Sequence, residues 1–231
     1  MPSPSAFHFF RFNAAVDPNV YSDLEDYWQD LIAVFRAEIA DLAALGCTYI
    51  QLDEVPLAML CDTSIQEQVR GMGGDPDALI SRYVDALESV LSAAPPSMAV
   101  GLHLCRGNFR SRWMAAGGYE PVAERLFNTP SIDAFFLEYD SERAGDFSPL
   151  RFVPKEKYAV LGLVTSKTAV LEVPEALKKR IDEATKFVPL EQLSLSPQCG
   201  FASVAGGNTV NEDDERAKLQ LVVDVARDVW R

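Results

Sequence analysis

Histidine and cysteine are scarce here, with two histidines and four cysteines among 231 residues. So few cysteines argue against a disulfide framework, and leave each thiol as either a small core residue or a reactive or metal-binding group. Long apolar runs are also lacking, so no segment reads as a membrane span. The opening Met1-Pro2-Ser3-Pro4-Ser5 has no basic segment followed by an apolar stretch, which speaks against a secretory signal and predicts a cytoplasmic protein. Basic residues are outnumbered by acidic ones, 21 to 34, and the net charge of −13 with no Lys/Arg cluster excludes a phosphate-backbone binder, so no nucleic-acid partner is expected. Finally, the glycine-rich dinucleotide fingerprint is missing.

What remains is a chain that is 48% apolar and 24% charged, the composition of an ordinary globular domain. Short β-like runs alternate with helical patterns. Strands are expected over Ala6–Phe12, Thr48–Asp53, Ala99–Cys105, Ile132–Tyr139, Ala159–Thr165 and Gln192–Ser196. Helices are expected over Tyr21–Leu45, where Gly46 ends the pattern, and over Asp75–Leu91, Glu120–Phe127, Pro174–Phe187 and Glu212–Trp230. Strands that are nearly continuously apolar and alternate with helices belong to a parallel sheet. The fold expected is α/β of the (β/α)8 TIM-barrel type, incomplete at about six of eight strand-helix units, because residues with chemistry recur at the C-terminal ends of successive strands.

Those ends define a candidate site. His103 and Cys105 lie two apart on one strand and so share a face. Glu138 closes the apolar Phe135-Phe136-Leu137, where a lone charge calls for a cation partner. Cys199 follows Ser194-Leu195-Ser196-Pro197-Gln198 in the same manner. Together His103, Cys105, Glu138 and Cys199 offer a nitrogen, two thiolates and a carboxylate, a tetrahedral shell suited to Zn2+. Each residue also has a plainer reading: Glu138 as the partner of Arg143 or Arg106, His103 as a packed core histidine. Cys47 and Cys61 read as buried structural thiols. Arg106, Asn108 and Arg110 are candidates to steer an anionic substrate, and Asp53 with Glu54 ends the Thr48–Asp53 strand at the same rim.

Four segments carry a resemblance: Tyr49-Ile50-Gln51-Leu52-Asp53-Glu54, Leu102-His103-Leu104-Cys105-Arg106-Gly107-Asn108-Phe109-Arg110, Phe136-Leu137-Glu138-Tyr139-Asp140 and Leu195-Ser196-Pro197-Gln198-Cys199-Gly200-Phe201. The chain resembles the catalytic domain of the cobalamin-independent methionine synthases, and more closely their short single-domain members, essentially from Pro2 to Trp230. The resemblance implies one barrel domain over residues 1–231 whose mouth holds zinc on His103, Cys105, Glu138 and Cys199. Asp53 matches the acidic residue that holds the amino group of homocysteine, and is the expected catalytic residue. The implied activity is that of a 5-methyltetrahydropteroyltriglutamate-homocysteine S-methyltransferase, in which a metal-held thiol takes a methyl group.

Relative to the family, the first two barrel strands have no counterpart upstream of Ser3, and the strand ending Leu163-Val164-Thr165-Ser166-Lys167-Thr168 lacks the histidine that would relay a proton to the departing folate. Lys167 could hold a carboxylate or phosphate there. The expected partners are homocysteine or another small thiol, and a methyl donor, either folate or a methylated corrinoid protein. An open barrel seam further predicts a homo-oligomer or a partner chain that covers it. Two alternatives stay open: a non-catalytic or partner-dependent zinc-binding subunit, and alkyl transfer to a different thiol.

Overall fold

The computed structural model describes residues 1–11, 16–202 and 205–231. The first helix, α1 (Pro4–Phe9), occupies most of the stretch expected as a strand, and Phe12 lies outside the described residues. Pro4 at the first helical position presets the backbone turn. The aromatic run is then used by helical spacing instead of alternation: Phe7 meets Phe35 edge-on at 5.9 Å between ring centroids, and His8 stacks near Trp28 and bonds the Tyr83 hydroxyl at 2.8 Å. Met1–Ser3 runs along the sheet edge, with a parallel bridge from Pro2 to Asp53 and the Met1 amino group on the Gln51 carbonyl at 2.8 Å.

The elements that follow are α2 (Leu24–Ala44), β1 (Tyr49–Asp53), α3 (Val55–Met59), α4 (Thr63–Gly71), α5 (Pro76–Leu91), β2 (Ala99–Leu104), α6 (Glu120–Phe127), β3 (Ala134–Glu138), β4 (Tyr158–Val164), α7 (Pro174–Ala184), β5 (Leu193–Pro197) and α8 (Glu212–Val229). Gly46 sits just past α2 at φ +88°, a conformation glycine adopts freely. Asp75 caps α5 from the Asp-Pro start, and Asn211 with Asp214 forms a capping box on α8. The short α3 and α4 were not expected, because five- and nine-residue helices carry too few turns for a periodic signal. No helix among the described residues is long and apolar enough to cross a membrane.

Among the described residues five strands, not six, form one all-parallel sheet in the order β1-β2-β3-β4-β5. Every strand pairs with its neighbour in sequence, as in the wall of a (β/α)8 barrel. Leu52, Leu102, Leu104, Phe135, Leu137, Ala159 and Leu161 point outward into a core closed by the helices, each no more than 1% exposed. The opposite, concave face carries Tyr49, Gln51, Phe136, Tyr158 and Ser196, of which Tyr49 and Tyr158 are about half exposed at 48% and 50%. The register aligns the strand ends: Asp53 lies opposite His103, His103 opposite Phe136, and Glu138 opposite Gly162.

Gly162 has a specific part in this alignment. A Cβ there would lie 2.8 Å from both the Gln198 Cα and the Leu137 carbonyl oxygen, so the glycine lets the end of β5 fold inward over β4. The pairing of β4 with β5 also shifts register between Gly162 and Val164. Gly162→Ala should lower stability by about 1–3 kcal/mol, the usual range for overpacking, and should displace Cys199 from its neighbours. Chemical denaturation and thiol-reactivity measurements on that variant check both effects.

Glu54 lies behind the sheet end. It is fully buried, caps α3 through the Leu57 N–H at 2.9 Å, and accepts the Ser5 hydroxyl from α1 at 2.7 and 2.8 Å. Burial pushes its carboxyl up to about 7, against the pull of the Ser5 and Leu57 hydrogen bonds. A carboxyl whose folded pKa is raised binds its proton more tightly when folded, so stability is greatest below the unfolded value and declines as pH rises toward 7. Between about pH 4.5 and 7 this group should remove on the order of 3 kcal/mol. Glu54→Gln should flatten that part of the stability profile, measured by denaturant midpoints from pH 5 to 8.

Candidate metal centre

Four side chains converge at the C-terminal edge of the sheet. His103 stands near the end of β2, Cys105 one residue past it, Glu138 at the end of β3, and Cys199 two residues past β5. One ligand atom from each lies within 4.8 Å of all the others. The two sulfurs are 3.8 Å apart, which is the separation that two bonds of about 2.3 Å to one tetrahedral ion would produce. His103 Nε2 is 4.0 Å from Glu138 Oε1.

Several features bear on whether these residues fit a cation. The His103 Nδ1 lies 3.2 Å from the Phe136 carbonyl oxygen. A carbonyl can only accept, so Nδ1 carries the proton when the ring is neutral and Nε2 keeps its lone pair. That Nε2 is buried without a hydrogen-bond partner among the described residues, an orphan aimed at two sulfurs and a carboxylate. The donor set of imidazole, two thiols and one carboxylate is one that zinc accepts. These residues therefore fit the ion.

The electrostatics of the cluster point the same way. Cys199 is pulled down from the usual thiol range, first by its hydrogen bond with Cys105 and then by His103, while Cys105 is pushed up by the same sulfur contact and by burial. The contact between the sulfurs therefore favours the charged form of Cys199 over that of Cys105. Burial opposes charge on His103, yet Cys199, Asp53 and Glu138 together outweigh it and raise its pKa. Without an ion the cluster draws in protons, which a divalent cation would replace.

Glu138 is held from behind. Arg143 Nη1 donates to its Oε2 at 3.1 Å and is itself braced by Asp140 at 2.7 Å, and Gln198 Nε2 donates to its Oε1 at 3.2 Å. The plainer pairing of Glu138 with Arg143 is therefore present together with its place in the cluster. Gln198 went unassigned in the sequence, although it adjoins Cys199; no periodic pattern marks a side chain that supports a ligand without being one.

The other candidates divide. Asp53 faces a cavity of about 540 Å³ that Cys105, Cys199, Asn108, Phe109 and Met114 also line. Loss of water around the carboxylate raises its pKa, with His103 opposing. A second cavity of about 150 Å³ opens on the concave side between His103, Gln51, Phe136 and Cys199. Two expectations are corrected. Glu54 faces α1 and α3 and lines neither cavity, because its carboxylate is consumed as a helix cap. Arg106 is fully buried with Nη1 on the Tyr119 hydroxyl at 2.6 Å and Nη2 on the Gly117 carbonyl at 2.6 Å, so it braces the loop after β2 and cannot steer a substrate. Asn108 and Lys167 sit beside the cluster but bond each other, Nζ to Oδ1 at 3.3 Å. Arg110 is exposed on the same loop.

Comparison with known proteins agrees with this geometry. Residues 16–228 match the family described as cobalamin-independent synthase, catalytic domain. An uncharacterized Bacillus subtilis protein, YxjH, is 43% identical over 232 residues, covering all of this chain and 61% of its own length. The methionine synthase of Pyrococcus abyssi is 24% identical over 209 residues, or 90% of this chain and 50% of that protein. A Listeria monocytogenes structure, a candidate vitamin-B12-independent methionine synthase, superimposes with a TM-score of 0.76 at 33% identity, covering 100% of this chain and 63% of its own. The B12-independent methionine synthase of Shewanella, solved with selenomethionine, shares the fold at a TM-score of 0.69. The chain thus spans about three-fifths of YxjH and half of the archaeal enzyme, and over that span it belongs to the cobalamin-independent methionine synthase family, within the catalytic barrel domain.

Proposed function

We propose that this chain is a single methionine-synthase-like catalytic domain that transfers a methyl group, from methyltetrahydrofolate or a related donor, to the thiol of homocysteine, forming methionine. The observation that carries this reading is the convergence of His103, Cys105, Glu138 and Cys199 within 4.8 Å beside a cavity walled by Asp53. Bound there, Zn2+ would supply a Lewis acid that lets a thiol ionise at neutral pH. His103 presents Nε2 because the Phe136 carbonyl engages Nδ1. With two thiolates and a carboxylate as ligands a filled site would be anionic, favouring electron density on sulfur. Glu138, whose charge Arg143 and Gln198 compensate in any case, would be the ligand best able to give way to a thiol. Asp53, on the cavity wall, is positioned to hold the ammonium group of an amino thiol. In the transfer the donor loses its methyl group and gains the proton that the acceptor thiol releases. Free thiols at such a site need a reducing compartment, in keeping with the cytoplasm.

Purified protein should hold one zinc per chain. Cys199→Ser should lose it, together with at least 100-fold of homocysteine methylation assayed with methyltetrahydrofolate and, separately, with a methylated corrinoid protein. Stoichiometric zinc with no turnover on any donor or thiol, restored only by a second polypeptide, would instead favour the partner-dependent zinc-binding subunit. Turnover confined to another thiol would mark a different acceptor.

The exposed Tyr49 and Tyr158 on the concave face support association there with another copy or with a partner chain. Sedimentation should show self-association that Tyr158→Glu weakens; a monodisperse monomer, with no dye-binding apolar surface, would remove this proposal.

A further inference from the structure

The two thiols lie outside regular strands, in loops that nothing periodic holds in place, yet their sulfurs sit 3.8 Å apart. Each is followed closely by a glycine. The Gly107 N–H donates to Cys105 Sγ at 3.3 Å, and Gly200 directly follows Cys199. Gly107 adopts φ +92°, and a Cβ there would lie 2.9 Å from the Met114 side chain, so this turn requires glycine.

The carbonyls of the same two glycines are gripped by two buried side chains. Lys167, 6% exposed, reaches from the loop after β4 to donate to the Gly107 carbonyl at 3.1 Å. Asn108, 8% exposed, donates to the Gly200 carbonyl at 2.7 Å. The two residues are joined through Lys167 Nζ to Asn108 Oδ1 at 3.3 Å, and Asn208 Nδ2 reaches the same oxygen at 3.3 Å. Farther along, Ser111 in the left-handed region bonds Thr209 at 2.9 Å, and the Thr209 hydroxyl returns to the Lys167 carbonyl at 3.1 Å. Loops after β2, β4 and β5 therefore close on one another around Asn108.

We propose that Asn108 and Lys167 form a positioning pair which, by holding the Gly107 and Gly200 carbonyls, keeps the Gly107 N–H on the Cys105 sulfur and the Cys199 sulfur beside it, and so sets how strongly those sulfurs donate to a bound metal ion. Hydrogen bonds to a ligating sulfur withdraw electron density from it, and residues that orient ligands without touching the ion commonly govern its affinity by 10- to 100-fold. The inference rests on the metal-centre reading above. It reassigns both side chains from substrate capture to the support of the ligands.

The test compares the wild-type chain with Asn108→Asp, Lys167→Met and, as a control on the outer surface, Lys178→Met. Asn108→Asp is nearly isosteric and still accepts from Lys167, but loses the N–H that reaches Gly200. Zinc affinity is measured by competition with a chromophoric chelator, the sulfur-to-metal absorption band is recorded after Co2+ substitution, and melting temperature is followed alongside. We expect one metal per wild-type chain. Asn108→Asp and Lys167→Met should each weaken zinc 10- to 100-fold and shift the cobalt band, while Lys178→Met leaves both unchanged. The band reports the sulfurs themselves, so a merely structural role would lower the melting temperature without moving it. Wild-type affinity and band position in Asn108→Asp would overturn the positioning role and leave the metal centre standing. A wild-type chain that binds no zinc, or binds it equally well without Cys105 and Cys199, would remove both.

Discussion

Four electron-rich atoms held within 4.8 Å of one another repel, and the surroundings of the cluster can be understood as an answer to that repulsion. In water such groups would separate or be screened; here His103, Cys105 and Glu138 are buried, and screening is weak. Part of the charge is compensated by protein: Arg143 on Glu138, Gln198 on the other carboxylate oxygen, and the Gly107 N–H on Cys105. The contact between the two sulfurs, 3.8 Å apart, eases the charge on Cys199 further. None of these reaches the His103 Nε2, which stays without a hydrogen-bond partner among the described residues. A divalent cation could satisfy that nitrogen, both sulfurs and the carboxylate at once.

The sheet makes this arrangement possible through register. Parallel neighbours that pair in sequence order deliver their C-terminal ends to one rim, and alternation then decides which side chains face it. His103 opposite Phe136 puts Glu138, two residues on, across from the Cys105 turn. Glu138 opposite Gly162 leaves a space where β4 has no side chain, and the Gln198 backbone occupies it. Cys199 is carried inward as a result. A residue with no side chain therefore contributes as much to the cluster as a ligand does, by permitting an approach that any Cβ would block.

How much of this was legible in the sequence follows from the range of each signal. The i, i+2 spacing of His103 and Cys105 and the strand-end placing of Glu138 and Cys199 are local, so the four residues could be brought together on paper, and the helices from Asp75-Pro76 and Glu120-Pro121 could be read from their starts. The stretch Pro4–Phe9 could not, because an aromatic run suits a strand or a buried helix equally and only packing on Trp28, Phe35 and Tyr83 decides. Arg106 illustrates a second limit: next to a ligand in sequence, it points behind the sheet to Tyr119 and Gly117. Glu54 fails in the same manner beside Asp53. Neighbours along a strand face opposite sides, so nearness in sequence to a functional residue predicts the wrong face as readily as the right one.

The proposed metal site and the proposed substrate side also separate in this architecture. Every cluster residue, and every group found to support one, comes from β2 to β5 or the loops that follow them. That set is complete within the five-strand arc. The side proposed for substrate is not so enclosed: Asp53 stands on β1 at the arc's margin, and the concave face in front of His103 is open past Gln51 and Phe136. Metal affinity should therefore be an intrinsic property of the arc, determined by short contacts among its own loops. Acceptor affinity should depend on whatever surface closes the concave side, so a chain that holds zinc tightly can still bind its thiol weakly until that side is covered.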